Sequence, residues 1–301
     1  MKTSRKILVL VLALVMVFAC AVPAFAVQAG DPGSEPIPST TPTETGVFHV
    51  KLNIQSYSKT SSGTTTGPFK VFGLDVQLGT TGVTNSFTVE DVVNAAASQH
   101  SSIVDFYIAN DTTHGHYVKK IKDAANSKWY EALSMKSGSN TYLCGWMFRL
   151  NGKIPMLNST DGAGISQTYV KSGDVIDFYY ANPYITGSTD HSTKFMAIGV
   201  DSAGFQLLFS DLYIASGATN WTIGQFTTPG LAYIKVYVDG TLDTNTLTDG
   251  TGHFALSGTY TGTHTIRVEY RYNAYNTFTN SSGTVSYGVP RFVDAVLDYT
   301  F

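Results

Sequence analysis

The sequence predicts a mainly β protein with a small α+β part: a sheet crossed by a single helix, then an all-β sandwich. Three observations carry this. Apolar and polar residues alternate with a period of two in several stretches, which marks strands with one buried face. One segment alone, opening at Asn85-Ser86-Phe87-Thr88, repeats its apolar residues clearly at helical spacing. Turn pairs such as Asn151-Gly152, Asp239-Gly240 and Asp249-Gly250 separate the apolar runs, as hairpins require.

Before the first strand lie two segments of other kinds. Lys2, Arg5 and Lys6 precede an uncharged apolar run, Ile7 to Ala19, and then Ala24-Phe25-Ala26. A basic start, an apolar middle and a small-x-small site make a secretory signal over residues 1–26. The run is shorter than the ~20 residues that span a bilayer. A lipoprotein reading at Cys20 is weaker, because Phe18 is bulky where a small residue is expected. Residues 27–46 are rich in Pro, Thr, Ser and Gly and read as a disordered stalk with nothing to bury.

Net charge is −3; removing 1–26 takes three basic residues and no acid, leaving −6 on 275 residues. Scattered, mildly acidic charge gives no footprint for nucleic acid. No second apolar run could span a membrane, so a secreted or cell-surface protein is expected. Of the two cysteines, Cys20 leaves with the signal, so Cys144 lacks an intrachain partner and reads as a buried, inert thiol.

In the folded part, Phe48, Val50, Leu52 and Ile54 alternate as a strand, residues 56–67 form a Ser/Thr-rich mobile tip, and Val71 to Leu78 returns. Ser86 or Thr88 caps the helix, Glu90 and Asp91 suit its positive end, and Val89, Val92, Val93 and Ala96 face the core until about His100. Ile103–Ile108, Tyr142–Leu150 and Val175–Tyr180 are further strands, and so is Tyr117–Ile121, although Tyr117–Ala125 also fits a helical turn or two. A boundary near 185–194 divides a domain at 47–184 from one at 190–301, where Ile234–Val238 and Ile266–Tyr272 alternate and residues 195–228 resist placement.

Gly145-Trp146-Met147-Phe148-Arg149-Leu150-Asn151-Gly152, with Tyr169-Val170-Lys171-Ser172-Gly173-Asp174-Val175-Ile176 downstream, resembles the transcobalamin C-terminal-like domain of bacterial secreted and surface proteins. Phe148 and Leu150 depart mildly from that pattern, and the resemblance covers roughly residues 46–182. It implies a β-grasp-like ligand-binding module more than cobalamin binding itself, since the helical barrel of the cobalamin-binding relatives has no counterpart here. Tyr237-Val238-Asp239-Gly240, Thr248 to Phe254 and Gly262 to Ile266 are similar to bacterial immunoglobulin-like and prealbumin-like repeats.

The resemblance concentrates the expected ligand-binding residues at Trp146, Met147, Arg149 and Asn151. Trp146 is either a core aromatic or a stacking surface. Alternation sends Trp146, Phe148 and Leu150 to one face; if that face is core, Met147, Arg149 and Asn151 are exposed. Arg149→Ala is then expected to leave stability unchanged. His114-Gly115-His116 with Asp111 reads as a polar loop before a metal site, and Asp249 as turn chemistry before a calcium loop. No hydrolase elbow, zinc-helix motif or phosphate loop occurs in the sequence. The expectation is a non-catalytic extracellular module without a cofactor. It would bind a small molecule such as a corrinoid, or a cell-surface or cell-wall component; the alternative is a structural adhesin or spacer.

Overall fold

The computed structural model describes residues 27–111, 115–137, 140–159, 161–181, 193–213, 222–271 and 275–301. The signal segment and residues 185–192 of the expected boundary lie outside them. The chain is mainly β, with one helix among the described residues. Strands are numbered here in chain order, and two- and three-residue pairs outside this series are named by residue.

In the first half run β1 (Ser34–Pro36), β2 (Phe48–Gln55), β3 (Ser58–Ser61), β4 (Lys70–Leu78), α1 (Val89–Gln99), β5 (Val104–Asp111), β6 (Gly115–Asp123), β7 (Lys128–Glu131), β8 (Leu133–Ser137), β9 (Asn140–Leu150), β10 (Ile154–Met156) and β11 (Val175–Ala181). Thr88 caps α1 in a capping box with Asp91, and Val89, Val92, Val93 and Ala96 are its buried residues. They pack with Val50, Leu52, Val76 and Ile176 of the sheet and with Val118 and Ile121 of β6. The ambiguous segment 117–121 belongs to β6, paired on both sides: Lys120 faces Tyr107 of β5 and Glu131 of β7. Tertiary pairing decides where local pattern did not.

The second half contains β12 (Lys194–Asp201), β13 (Gly204–Tyr213), β14 (Tyr233–Val238), β15 (Thr241–Leu247), β16 (Thr263–Tyr270), β17 (Tyr275–Thr279), β18 (Val285–Pro290), β19 (Phe292–Val293) and β20 (Ala295–Thr300). The sheet β15-β14-β16-β20 faces the sheet holding β13, β12 and β19. Met196, Ile198 and Leu207 from one sheet meet Ile234, Val236, Ile266 and Val268 from the other in a common core. The formerly unplaced stretch 195–228 supplies the β12–β13 hairpin.

The halves share a sheet. Its order is Thr64–Thr66, β3, β18, β17, β8, β9, β11, β2, β4. β17 and β18 come from the second half, and β18 pairs with β3 from Gly288↔Ser58 to Val285↔Ser61. Because β2 runs on into β3 through only Ser56 and Tyr57, the sheet returns onto itself around Tyr57, Tyr180, Phe278, Tyr287 and Val289. The expected mobile tip at 56–67 is therefore part of a paired hairpin, turning at Ser62-Gly63 with φ of 51° and 78°. Its Ser/Thr composition hid it, since it offers no apolar alternation to read.

Residues 27–46 are likewise not a free stalk. Val27 is buried, β1 pairs in parallel with β10, and Phe226 N–H donates to the Asp31 carbonyl at 2.8 Å. A Cβ on Gly33 would come within 2.6 Å of the Gly224 carbonyl oxygen, so only glycine allows this close approach. Main-chain bonding holds a segment that side-chain composition assigned to solvent.

A charged cluster ties the halves as well. The buried Asp294 carboxylate receives Lys70 Nζ at 3.1 Å and Arg267 at 2.9 Å. Its N–H donates to Gln55 Oε1 at 2.9 Å, and the Arg267 guanidinium lies 3.8 Å from the Tyr237 ring centroid. Burial pushes the Asp294 carboxyl up from its ordinary value, against the pull of Lys70 and Arg267.

Two outcomes follow from the shared sheet. Residues 27–184 and 193–301 expressed as separate chains are expected to co-purify; two folded monomers on size exclusion would contradict the pairing. Phe278→Ala, removing a fully buried ring, is expected to cost about 3–5 kcal/mol in urea denaturation.

Candidate functional site

The site grows from an incomplete hairpin. Asn151 and Gly152 turn β9 into β10 with φ of 52° and 78°, the left-handed pair of a tight turn. Leu150 and Lys153 exchange both main-chain hydrogen bonds, at 2.8 and 3.0 Å. The next facing position along β10 is Pro155, opposite Phe148, and proline has no N–H to give. β10 leaves β9 there and pairs with β1 instead, Ile154 N–H donating to the Gly33 carbonyl at 2.9 Å.

Alternation fixes what is left on the β9 edge. Main-chain groups at Phe148 and Trp146 point to the same side as those of Leu150, away from β11. Farther along, β8 joins that side only at Cys144. Among the described strands none pairs with Trp146–Phe148 on this edge.

A groove of about 440 Å³ lies along it. Trp146, Met147 and Phe148 form one wall, Ile154, Pro155 and Met156 the other, and Tyr117, Val118, Ile165, Phe178 and Ile223 complete the lining. The loop at 161–165 closes one end, since Ala163 N–H donates to the Pro155 carbonyl and Ile165 N–H to the His116 carbonyl, each at 2.9 Å. Tyr117 and Asp161 are the ionisable side chains in the lining. Such a surface suits an apolar ligand held by shape, with main-chain groups as polar handles.

The structure separates the four expected residues. Trp146 is held by the core and also borders the groove: Nε1 donates to the Tyr130 carbonyl at 2.8 Å, the ring meets Tyr180 edge-on at 5.6 Å, and the residue is part of the groove lining. Met147 lines the groove as well. Arg149 does not. It is 1% exposed, pairs with Asp177 at 3.0 Å, donates to the Met196 carbonyl at 3.0 Å and lies over the Phe195 ring. The inference that one face of β9 is exposed fails because β12 of the second half covers it. Asn151 is a brace: its amide donates to Asp174 at 2.9 Å and its carbonyl accepts from Val175 N–H at 2.9 Å, joining the two motifs of the resemblance.

A second cavity of about 410 Å³ lies beside that brace, between Pro36, Pro38 and Pro42 and the residues Lys153, Lys171 and Asp174. Burial pushes the Asp174 carboxyl up, while the Asn151 amide and Lys171 N–H hold it down. Its central polar groups are already bonded to one another, which makes it the lesser candidate. Pro155 is the residue that sequence reasoning missed; a proline right after Asn-Gly-x-Ile was the available signal. Of the expected polar loop, His116 lies against Glu90 at 2.8 Å, and His114 falls outside the described residues.

No family model, curated protein or solved structure matches the chain.

Arg149→Ala is now expected to destabilise the protein by about 3–5 kcal/mol, because it strands Asp177 as a buried charge; an unchanged urea midpoint would refute the buried pairing. Burial pushes the Cys144 thiol up to about 12, so a thiol reagent at neutral pH is expected to label it only after denaturation.

Proposed function

We propose that the protein is a non-catalytic extracellular ligand-binding module that takes a small apolar molecule into the groove beside Trp146. The observation that carries this is the opened β9–β10 hairpin, whose edge and apolar walls enclose about 440 Å³. That volume falls in the usual range for small-molecule sites. Walls of Trp146, Met147 and Phe148 favour a flat ring system, since aromatic faces and a thioether adapt to planar surfaces. The transcobalamin-like resemblance and the β-grasp-like arrangement of one helix across a sheet support the same reading, and the signal-like segment at 1–26 supports export. The groove matches a single ring system better than a whole corrinoid, so a corrinoid is the less favoured ligand. An immunoglobulin-like second domain would serve as scaffold, because β12 covers the far side of β9 and Ile223 contributes to the lining.

The test is titration of anilinonaphthalene sulfonate and of cyanocobalamin, followed by Trp146-dependent fluorescence. The apolar probe is expected to bind, and Tyr117→Ala, a change at a partly exposed side chain, to weaken it roughly tenfold, or about 1.4 kcal/mol. Probe binding untouched by Tyr117→Ala would place the ligand elsewhere. Binding of neither ligand, with binding of cell-wall fragments instead, would favour an adhesin or spacer.

A further inference from the structure

The outer face of the β5-β6-β7 sheet carries an arrangement unrelated to the groove's chemistry. Register places Tyr107, Lys120 and Glu131 side by side across the three strands, and Asp105, Lys122 and Trp129 in the next row on the same face. The intervening row, Phe106, Ile121 and Tyr130, points inward, and Ile121 and Tyr130 are buried. Each outer row thus holds one aromatic ring, one lysine and one carboxylate, with the ring on opposite edge strands in the two rows.

The rings are open to solvent, Tyr107 at 51% and Trp129 at 39% exposed. A lysine lies near each, Lys120 at 5.8 Å from the Tyr107 centroid and Lys122 at 5.7 Å from that of Trp129. Strand spacing and rise put the two ring-bearing backbones roughly 12 Å apart on a diagonal. Solvent-facing sheet positions usually carry polar groups, so exposed rings repeated in register call for a partner.

Charge narrows that partner. The three strands carry Lys119, Lys120, Lys122 and Lys128 against Asp105, Asp111, Asp123 and Glu131, so their charge balances, and what marks the outer face is where its lysines stand unpaired. Lys120 is paired with Glu131 at 3.1 Å, and Asp105 accepts its neighbour's Phe106 N–H. Lys119 and Lys122 have no carboxylate within ion-pair distance among the described residues. Spaced rings stack on the C–H faces of sugar rings, and unpaired ammonium groups between and beside them meet carboxylates.

We infer that this face binds an acidic polysaccharide, a chain of uronic acid sugars laid diagonally across Tyr107 and Trp129 with Lys122 and Lys119 on its carboxylates. The test is affinity electrophoresis of the full chain in gels containing polygalacturonate, with neutral dextran in parallel. Polygalacturonate is expected to retard the protein, less so as salt is raised, and dextran to have little effect. Tyr107→Ala with Trp129→Ala is expected to weaken retardation tenfold or more, and Lys122→Ala severalfold. Melting temperature and groove-probe binding should stay unchanged in both, which separates loss of this surface from unfolding. No retardation by polygalacturonate would overturn the inference, as would equal retardation of the double variant. Equal retardation by dextran would overturn the acidic character of the ligand.

Discussion

The fold turns on the contact of Asp294 with Lys70 and Arg267. Two cations converge on one carboxylate where little water reaches, and they come from opposite halves of the chain. Neither the carboxylate nor the cations could be buried there alone at tolerable cost. Burial of Asp294 therefore requires β4 and β16 to be in place together. Gln55, bonded to the main chain at Phe292 and Asp294, adds the same requirement for β2. The raised Asp294 pKa means that the charged form is held at some cost near neutrality. That cost is relieved, not increased, as pH falls through the folded value, so acid does not unfasten the halves through this residue.

That junction also explains the second face of β9. Once β12 is held against the first sheet, the Arg149 side chain meets protein instead of water, while Met147 stays half-buried at the groove. Arg149 is then sealed against Asp177 and Phe195, and the only part of the strand left open is its edge. The groove is thus a product of two exclusions: the second half denies a ligand the face, and Pro155 denies β10 the edge.

Much of this was legible in the sequence. Helical spacing at Val89, Val92, Val93 and Ala96 with acids at Glu90 and Asp91 placed α1, and Asn151-Gly152 and Asp239-Gly240 placed two hairpins. These signals are local, and local chemistry enforces them. What failed depends on distant partners. Ser58–Ser61 is a strand because Val285–Gly288 lies beside it, and Ser34–Pro36 because Ile154–Met156 does; neither fact leaves a trace in its own residues. Arg149 misled for a related reason. Alternation tells which side chains share a face but not whether a second layer covers it, and a guanidinium suggests water until a carboxylate such as Asp177 is found for it. At the groove, Trp146 and Met147 were expected from the resemblance and both line it, whereas the opening of the hairpin had to be seen.

The pairing of β3 with β18 bears on the order of events during folding. Residues near 60 wait for residues near 285, more than two hundred positions later in synthesis. Closing so long a loop comes at an entropic cost before any contact repays it, and topologies dominated by such pairings fold slowly. Until β17 and β18 arrive, the edges of β3 and β8 stand open and the ring of tyrosines around Tyr57 is incomplete. A nascent chain in that condition exposes unpaired backbone along both edges. It is also open to sticking to its neighbours, so the Ser- and Thr-rich character of the waiting hairpin makes its bare edge less adhesive while it waits.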